Sequence, residues 1–179
     1  MSAAVVSTSR PGDVALLREA GFGGFHSVSH LQRTRCLEVP VERGVYAVVR
    51  DTELPPEFME RSVGGWYRQK DPSVPVDELV ANWVEGAQVL YLGRARGPGV
   101  RSLLQQRVKR YIRFGQGKAI AHWGGRLIWQ LRDHVALRLA WRVATADEDP
   151  ADIEATLLEA FKARHDRLPF ANLREEHAE

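Results

Sequence analysis

Gly44-Val45-Tyr46-Ala47-Val48-Val49 and Val89-Leu90-Tyr91-Leu92-Gly93 decide how this chain is read. Each is a short run of β-branched or aliphatic residues carrying one tyrosine and bounded by glycine or charge, the composition of a buried strand. Either run alone describes an ordinary aromatic at the edge of a sheet. Together they are informative because of the segments downstream of them: an arginine-rich helix, a second helix carrying glutamates, and then Pro169-Phe170-Ala171-Asn172.

Downstream of Tyr91, Gly97-Pro98-Gly99 predicts a turn and residues 101–114 a helix. At about 100° per residue, Leu104, Val108, Tyr111 and Ile112 share one face, while Lys109, Arg110 and Arg113 take the other. Arg107 lies at the boundary, one turn before Tyr111 and within its reach. Ala121-His122-Trp123-Gly124-Gly125 reads as a loop or short helix, and Leu127-Ile128-Trp129-Gln130-Leu131 as a strand. Val135, Leu137, Leu139, Trp141 and Val143 alternate with less apolar neighbours, the period of a strand with one buried face. Asp149 then caps a helix that has Pro150 at its first position. Ile153, Leu157, Ala160 and Phe161 form its apolar stripe, and it ends near His165-Asp166.

Between the two tyrosine strands, residues 51–88 are rich in turn signals: Pro55-Pro56, Gly64-Gly65, Asp71-Pro72 and Pro75. Trp66, Tyr67 and Trp83 give the segment aromatic anchors, so it reads as a packed insertion rather than a flexible tether. Upstream, residues 13–20 predict a short helix stopped by Gly21, residues 27–31 begin another, and Pro40 closes this front section.

The 179 residues are 44% hydrophobic and 27% charged, the balance of a folded globular chain. No stretch is long and apolar enough for a membrane span or a secretory leader, and the single cysteine, Cys36, excludes an internal disulfide. A soluble cytoplasmic protein is expected. No second histidine or cysteine stands at metal-ligand spacing to His122, so zinc is not expected. Gly97-Pro98-Gly99 lacks the lysine and threonine of a nucleotide-binding loop. The net charge is only +2, but residues 86–132 contain no acid and hold ten lysines and arginines, Arg94, Arg96, Arg101, Arg107, Lys109, Arg110, Arg113, Lys118, Arg126 and Arg132. Such a segment favours a polyanionic partner, unless acids from elsewhere in the chain fold against it.

This order of segments resembles the GIY-YIG nuclease superfamily over about residues 42–175, with Gly44-Val45-Tyr46 and Tyr91-Leu92-Gly93 as the two tripeptides. Valine and leucine replace isoleucine, and the motifs stand farther apart than in the family's usual short hairpin. The resemblance implies an α/β fold, a small, mainly antiparallel sheet flanked by the arginine helix and the glutamate helix. Residues 1–41 form an N-terminal helical extension, 51–88 an insertion and 176–179 a tail. It implies a DNA endonuclease that hydrolyses phosphodiester bonds with Mg²⁺ or Mn²⁺, and a homodimer where both strands are cut. A non-catalytic nucleic-acid-binding module of the same fold and a protein-interaction domain are the alternatives.

Carried over by position, the catalytic set is Tyr46, Tyr91, Arg107, Tyr111, Glu159 and Asn172. Either Tyr46 or Tyr91 serves as base or positions water, and Tyr111 orders a phosphate or water. Arg107 is preferred to Arg101 because tyrosine stands four residues after it. Of Glu154 and Glu159, the latter matches the family's metal carboxylate. Asn172 holds the chain end or a phosphate oxygen near Glu159, or simply makes a turn. Gly93, Arg94, Lys109, Arg110, Arg113 and His122 complete the set as contacts to phosphate or DNA, His122 with a structural role as its alternative. Glu159→Ala or Arg107→Ala is expected to abolish cleavage without unfolding the protein.

Overall fold

Four strands and five helices are laid out in a computed structural model, which describes residues 11–97 and 103–173. In chain order the elements are α1 (Asp13–Glu19), β1 (Gly23–Ser27), α2 (Val28–Thr34), β2 (Gly44–Val49), α3 (Val76–Asn82), β3 (Val89–Ala95), α4 (Leu104–Gly115), β4 (Arg138–Val143) and α5 (Pro150–His165). Arg101, Pro98, Gly99 and residues 174–179 lie outside the described residues.

The sheet runs β1-β4-β2-β3, antiparallel throughout. β2 lies at its interior with all six residues buried, which is why it is continuously apolar rather than alternating. Despite the long insertion between them, β2 and β3 are direct partners, with Tyr46 opposite Gly93 and Val48 opposite Tyr91. The α/β fold with a small antiparallel sheet is as the sequence predicts. The front section, however, is more than a helical extension. β1 adds a fourth strand on β4, and Asp13 of α1 accepts hydrogen bonds from the Gln88 and Val89 amides at 2.8 and 3.2 Å.

Each face of the sheet carries its own core. On one, Tyr46, Val48, Leu90, Tyr91, Leu139 and Trp141 meet α2 and the Leu104, Val108, Tyr111 and Ile112 stripe of α4. On the other, Val45, Ala47, Val49, Val89 and Leu92 meet Leu17 of α1 and the Ile153, Leu157 and Phe161 stripe of α5. Strand alternation therefore assigns α4 and α5 to opposite faces. α5 starts as predicted: Asp149 accepts from the Ala151 amide at 2.8 Å and Pro150 comes directly after it.

Residues 51–88 pack, but of the three predicted aromatic anchors only Trp83 joins the core aromatics, while Trp66 is exposed. Phe58 and Trp83 lie with Phe170 at ring-centroid distances between 5.2 and 5.9 Å. Gln130, fully buried, accepts from the Val74 amide and donates to the Val74 and Met59 carbonyls. Residues 126–130 are a 3-10 helix, not the predicted strand. Leu127 to Leu131 are buried all round, and a short apolar run carries no period that separates strand from helix. β4 is likewise shorter than its alternation suggests, because His134–Ala136 form a second 3-10 turn.

Candidate functional site

Antiparallel pairing of β2 with β3 gathers the aromatic residues of the site. The Tyr46 ring lies 5.9 Å from Tyr91 and 6.2 Å from Tyr111, and Tyr91 lies 5.8 Å from Tyr111. Gly93 sits within β3 and admits the Tyr46 ring: a Cβ there would stand 2.7 Å from Tyr46 Cζ. Gly125, with φ of +70°, lets its loop close over both other rings, since its Cβ would meet Tyr111 Oη at 2.8 Å and Tyr91 at 3.1 Å.

The three tyrosines differ in what they can reach. Tyr46 and Tyr111 are fully buried. The Tyr111 hydroxyl donates to the Gly125 carbonyl at 2.8 Å, so a backbone oxygen takes the place expected for a phosphate or water. Burial, reinforced by the neighbouring Tyr46, raises its pKa well above the ordinary phenol value, so Tyr111 stays a neutral donor. Tyr91 alone of the three lines an open cleft of about 720 Å³, with Glu78 and Asn82 of α3, Trp123, Arg126 and Asn172.

Asn172 is placed by β3, whose outer edge has no neighbouring strand among the described residues. Its carboxamide accepts from the Leu92 amide and donates to the Leu92 carbonyl, both at 2.9 Å, while the Ala171 amide reaches the Leu90 carbonyl at 2.8 Å. Ala171 and Asn172 thus complete the edge, as a strand would. Asn172 holds the chain end beside Tyr91, not beside Glu159.

Glu159 is not brought to the tyrosines. On α5 it falls roughly 170° around the helix from the stripe that packs on the sheet. It is exposed, and α5 covers the face opposite the tyrosine cluster. Glu154 points inward instead, is buried, and pairs with Arg94 of β3 beneath α5. Arg94 therefore also sits on the α5 face, in an ion pair rather than on open surface.

Side-chain nitrogens with incomplete sets of partners gather around Tyr111. Arg107 Nε, His122 Nε2 and Arg126 Nε are all buried without a hydrogen-bond partner among the described residues. The His122 ring lies 4.7 Å from Tyr111, tilted by 46°, and is itself buried. Burial, with Arg107 and Arg110 nearby, pushes its pKa down to about 3, so it is a neutral imidazole. Arg126 lies 4.9 Å over the Trp123 ring. Burial lowers its pKa, and the Glu78 charge opposes that shift. Buried nitrogens left unpaired are uncommon in folded proteins and mark places where a ligand or water completes the set.

The exposed side of α4 keeps its charge. Among the described residues no carboxylate pairs with Lys109, Arg110 or Arg113. Lys109 and Arg113 line a groove with Arg35 of the segment after α2. Glu78 and Arg126 do not stand out from the sequence as site residues. The acid-free run includes Arg126, but Glu78 belongs to the insertion, and only its docking brings it to Tyr91.

The residues fit a hydrated divalent ion poorly at Glu159 and better at Glu78, the one carboxylate lining the tyrosine cleft among the described residues. Magnesium is commonly held by one carboxylate with waters and substrate oxygens. No helix among the described residues is long and apolar enough to cross a membrane. No family model, curated protein or solved structure matches this chain.

Proposed function

We propose that this protein is a phosphodiester hydrolase acting on nucleic acid at the Tyr91 cleft. The observation that carries the reading is a pair of buried nitrogens without hydrogen-bond partners among the described residues, Arg126 Nε on a residue that lines the Tyr91 cleft and His122 Nε2 on a ring beside Tyr111. The resemblance of Gly44-Val45-Tyr46 and Tyr91-Leu92-Gly93 to the GIY-YIG tripeptides gives the reaction class, with DNA as substrate.

In this reading Arg126, which lines the cleft, neutralises charge that builds on the phosphate, where a permanent cation in a partly dry cleft acts most strongly. Tyr91 positions the attacking water, and Trp123 offers a face for a base. Glu78 replaces Glu159 as the carboxylate for Mg²⁺ or Mn²⁺, which would supply Lewis acidity and an activated water. Lys109, Arg110 and Arg113 track the backbone along α4, and two copies acting together would cut both strands.

Cleavage of duplex, nicked, branched and single-stranded DNA, with Mg²⁺ and with chelator, tests this. Glu78→Gln should lower cleavage by at least about 100-fold while leaving binding intact, and Glu159→Gln should leave cleavage unchanged. Loss confined to Glu159→Gln would refute the cleft as the site. A second reading, a nucleic-acid-binding module without activity, is favoured by the full burial of Tyr46 and Tyr111 and by the outward Glu159. Salt-dependent binding with no cleavage of any substrate would establish it.

A further inference from the structure

Away from the cleft, on the far edge of the sheet, three side chains of metal-ligating type meet. His26 on β1, His30 on α2 and Glu38 after α2 each offer an atom, and these atoms all lie within 4.8 Å of one another. All three residues are partly exposed, so the group opens to solvent. We propose that His26, His30 and Glu38 form a binding site for zinc, or a first-row divalent ion of the same class, with water completing the coordination.

Local backbone geometry assembles this group. β1 bulges between Gly24 and His26, so His26 rather than Phe25 stands opposite Leu139. The shift moves the His26 side chain from the face of Ala140 to that of Leu139 and Trp141, where α2 lies. Phe25 takes a φ of +56°, a conformation that costs free energy for a residue with a Cβ. Ser27 then caps α2 by accepting from the His30 amide at 3.2 Å. The two rings stack 4.7 Å apart at 16°.

Glu38 returns to His30 because Arg35 and Cys36 both adopt left-handed conformations, with φ of 55° and 59°. One Glu38 oxygen contacts His30 Nε2, and the other accepts from the Thr34 hydroxyl at 2.8 Å. Thr34 thus orients the carboxylate in the way outer hydrogen-bond partners orient metal ligands. Cys36 is not part of the group: it is buried, and its thiol donates to the Leu31 carbonyl at 3.7 Å.

Two imidazoles and one carboxylate suit zinc, which takes nitrogen and oxygen ligands tetrahedrally and leaves the fourth position to water where the protein supplies three. Metal–ligand distances of ~2.0–2.1 Å put tetrahedral ligands about 3.3 Å apart. To take up the ion the His30–Glu38 contact opens and the His26 ring turns out of its stack on His30, because near-parallel rings cannot both direct their in-plane lone pairs at one ion. Magnesium, which prefers six oxygens, does not fit the donor set.

Calorimetric titration of the full chain with Zn²⁺, and with Co²⁺ followed by its visible ligand-field absorption, tests the site. One equivalent should bind, Mg²⁺ should not compete, and Zn²⁺ should raise the Tm. His26→Ala, His30→Ala and Glu38→Gln should each weaken zinc by more than the about 10–100-fold expected for Thr34→Val. Metal-free Tm values establish that each variant is folded. Absence of Zn²⁺ binding to the wild type, or binding that the three substitutions leave unchanged, would overturn the assignment to these residues.

Discussion

Acidification from pH 8 to pH 5 should cost the native state about 2 kcal/mol through His122 alone. Its imidazole is buried against Tyr111, and its pKa is pushed down to about 3 from an ordinary 6.5. The unfolded chain therefore takes up the proton first. Stability from the neutral buried ring is full above pH 6.5 and is lost progressively as the pH falls toward 3. At pH 5 the unfolded imidazole is almost wholly protonated and the folded one almost wholly neutral, and RT ln(1 + 10^1.5) is about 2 kcal/mol. Because the folded ring is still neutral there, the figure changes little for any folded pKa below about 4. For a domain of this size the loss corresponds to roughly 4–8 °C in Tm.

The assay compares unfolding of the wild type and His122→Phe at pH 8 and pH 5, by urea or by heat. Phenylalanine keeps a ring against Tyr111 and removes Nε2, which has no partner among the described residues. Carboxylates with lowered pKa values, at Glu38, Asp71 and Glu148, titrate in both proteins and cancel in the comparison. His122→Phe should lose about 2 kcal/mol less than the wild type over this interval. Parallel losses in the two proteins would refute the buried, neutral imidazole.

Asn172→Ala should cost about 2–4 kcal/mol, because it leaves the Leu92 amide and carbonyl unpaired at a buried strand edge; a loss below about 1 kcal/mol in denaturant unfolding would count against that edge role. Glu154→Ala should cost about 2–3 kcal/mol by removing the buried carboxylate from its charged pair with Arg94 beneath α5, whereas replacing both partners by leucine should recover much of the loss. Equal stability of the single and double variants would rule this out. Replacing Lys109 and Arg113 together by alanine should weaken DNA binding at low salt and lower the slope of log affinity against log salt by about 2. An unchanged slope would place the DNA on another face.

Much of the scaffold is legible locally. The apolar runs around Tyr46 and Tyr91, the alternation through Leu139 and Trp141, and the Asp149-Pro150 cap each state their element through near neighbours in the chain, and each forms. The 3-10 helix at 126–130 is not legible in the same way. Its side chains from Leu127 to Gln130 are all buried, Trp129 against α4 and Gln130 against the insertion, so no face is left polar to mark a period.

Glu159 shows the limit from the other direction. Its position in the order of motifs makes it the metal carboxylate, yet the stripe of Ile153, Leu157 and Phe161 already places it on the far side of the helix. The sequence by itself determined which residues lie on each side of α5, which strands carry the tyrosines and where the positive charge gathers, because those arise from periodicity and composition. Tertiary structure alone decided that α4 and α5 cover opposite faces, that Glu78 and Arg126 reach Tyr91, and that a bulge turns His26 toward His30 and Glu38. Those outcomes depend on how distant segments dock and on one residue of strand register, and neither leaves a local trace in the chain.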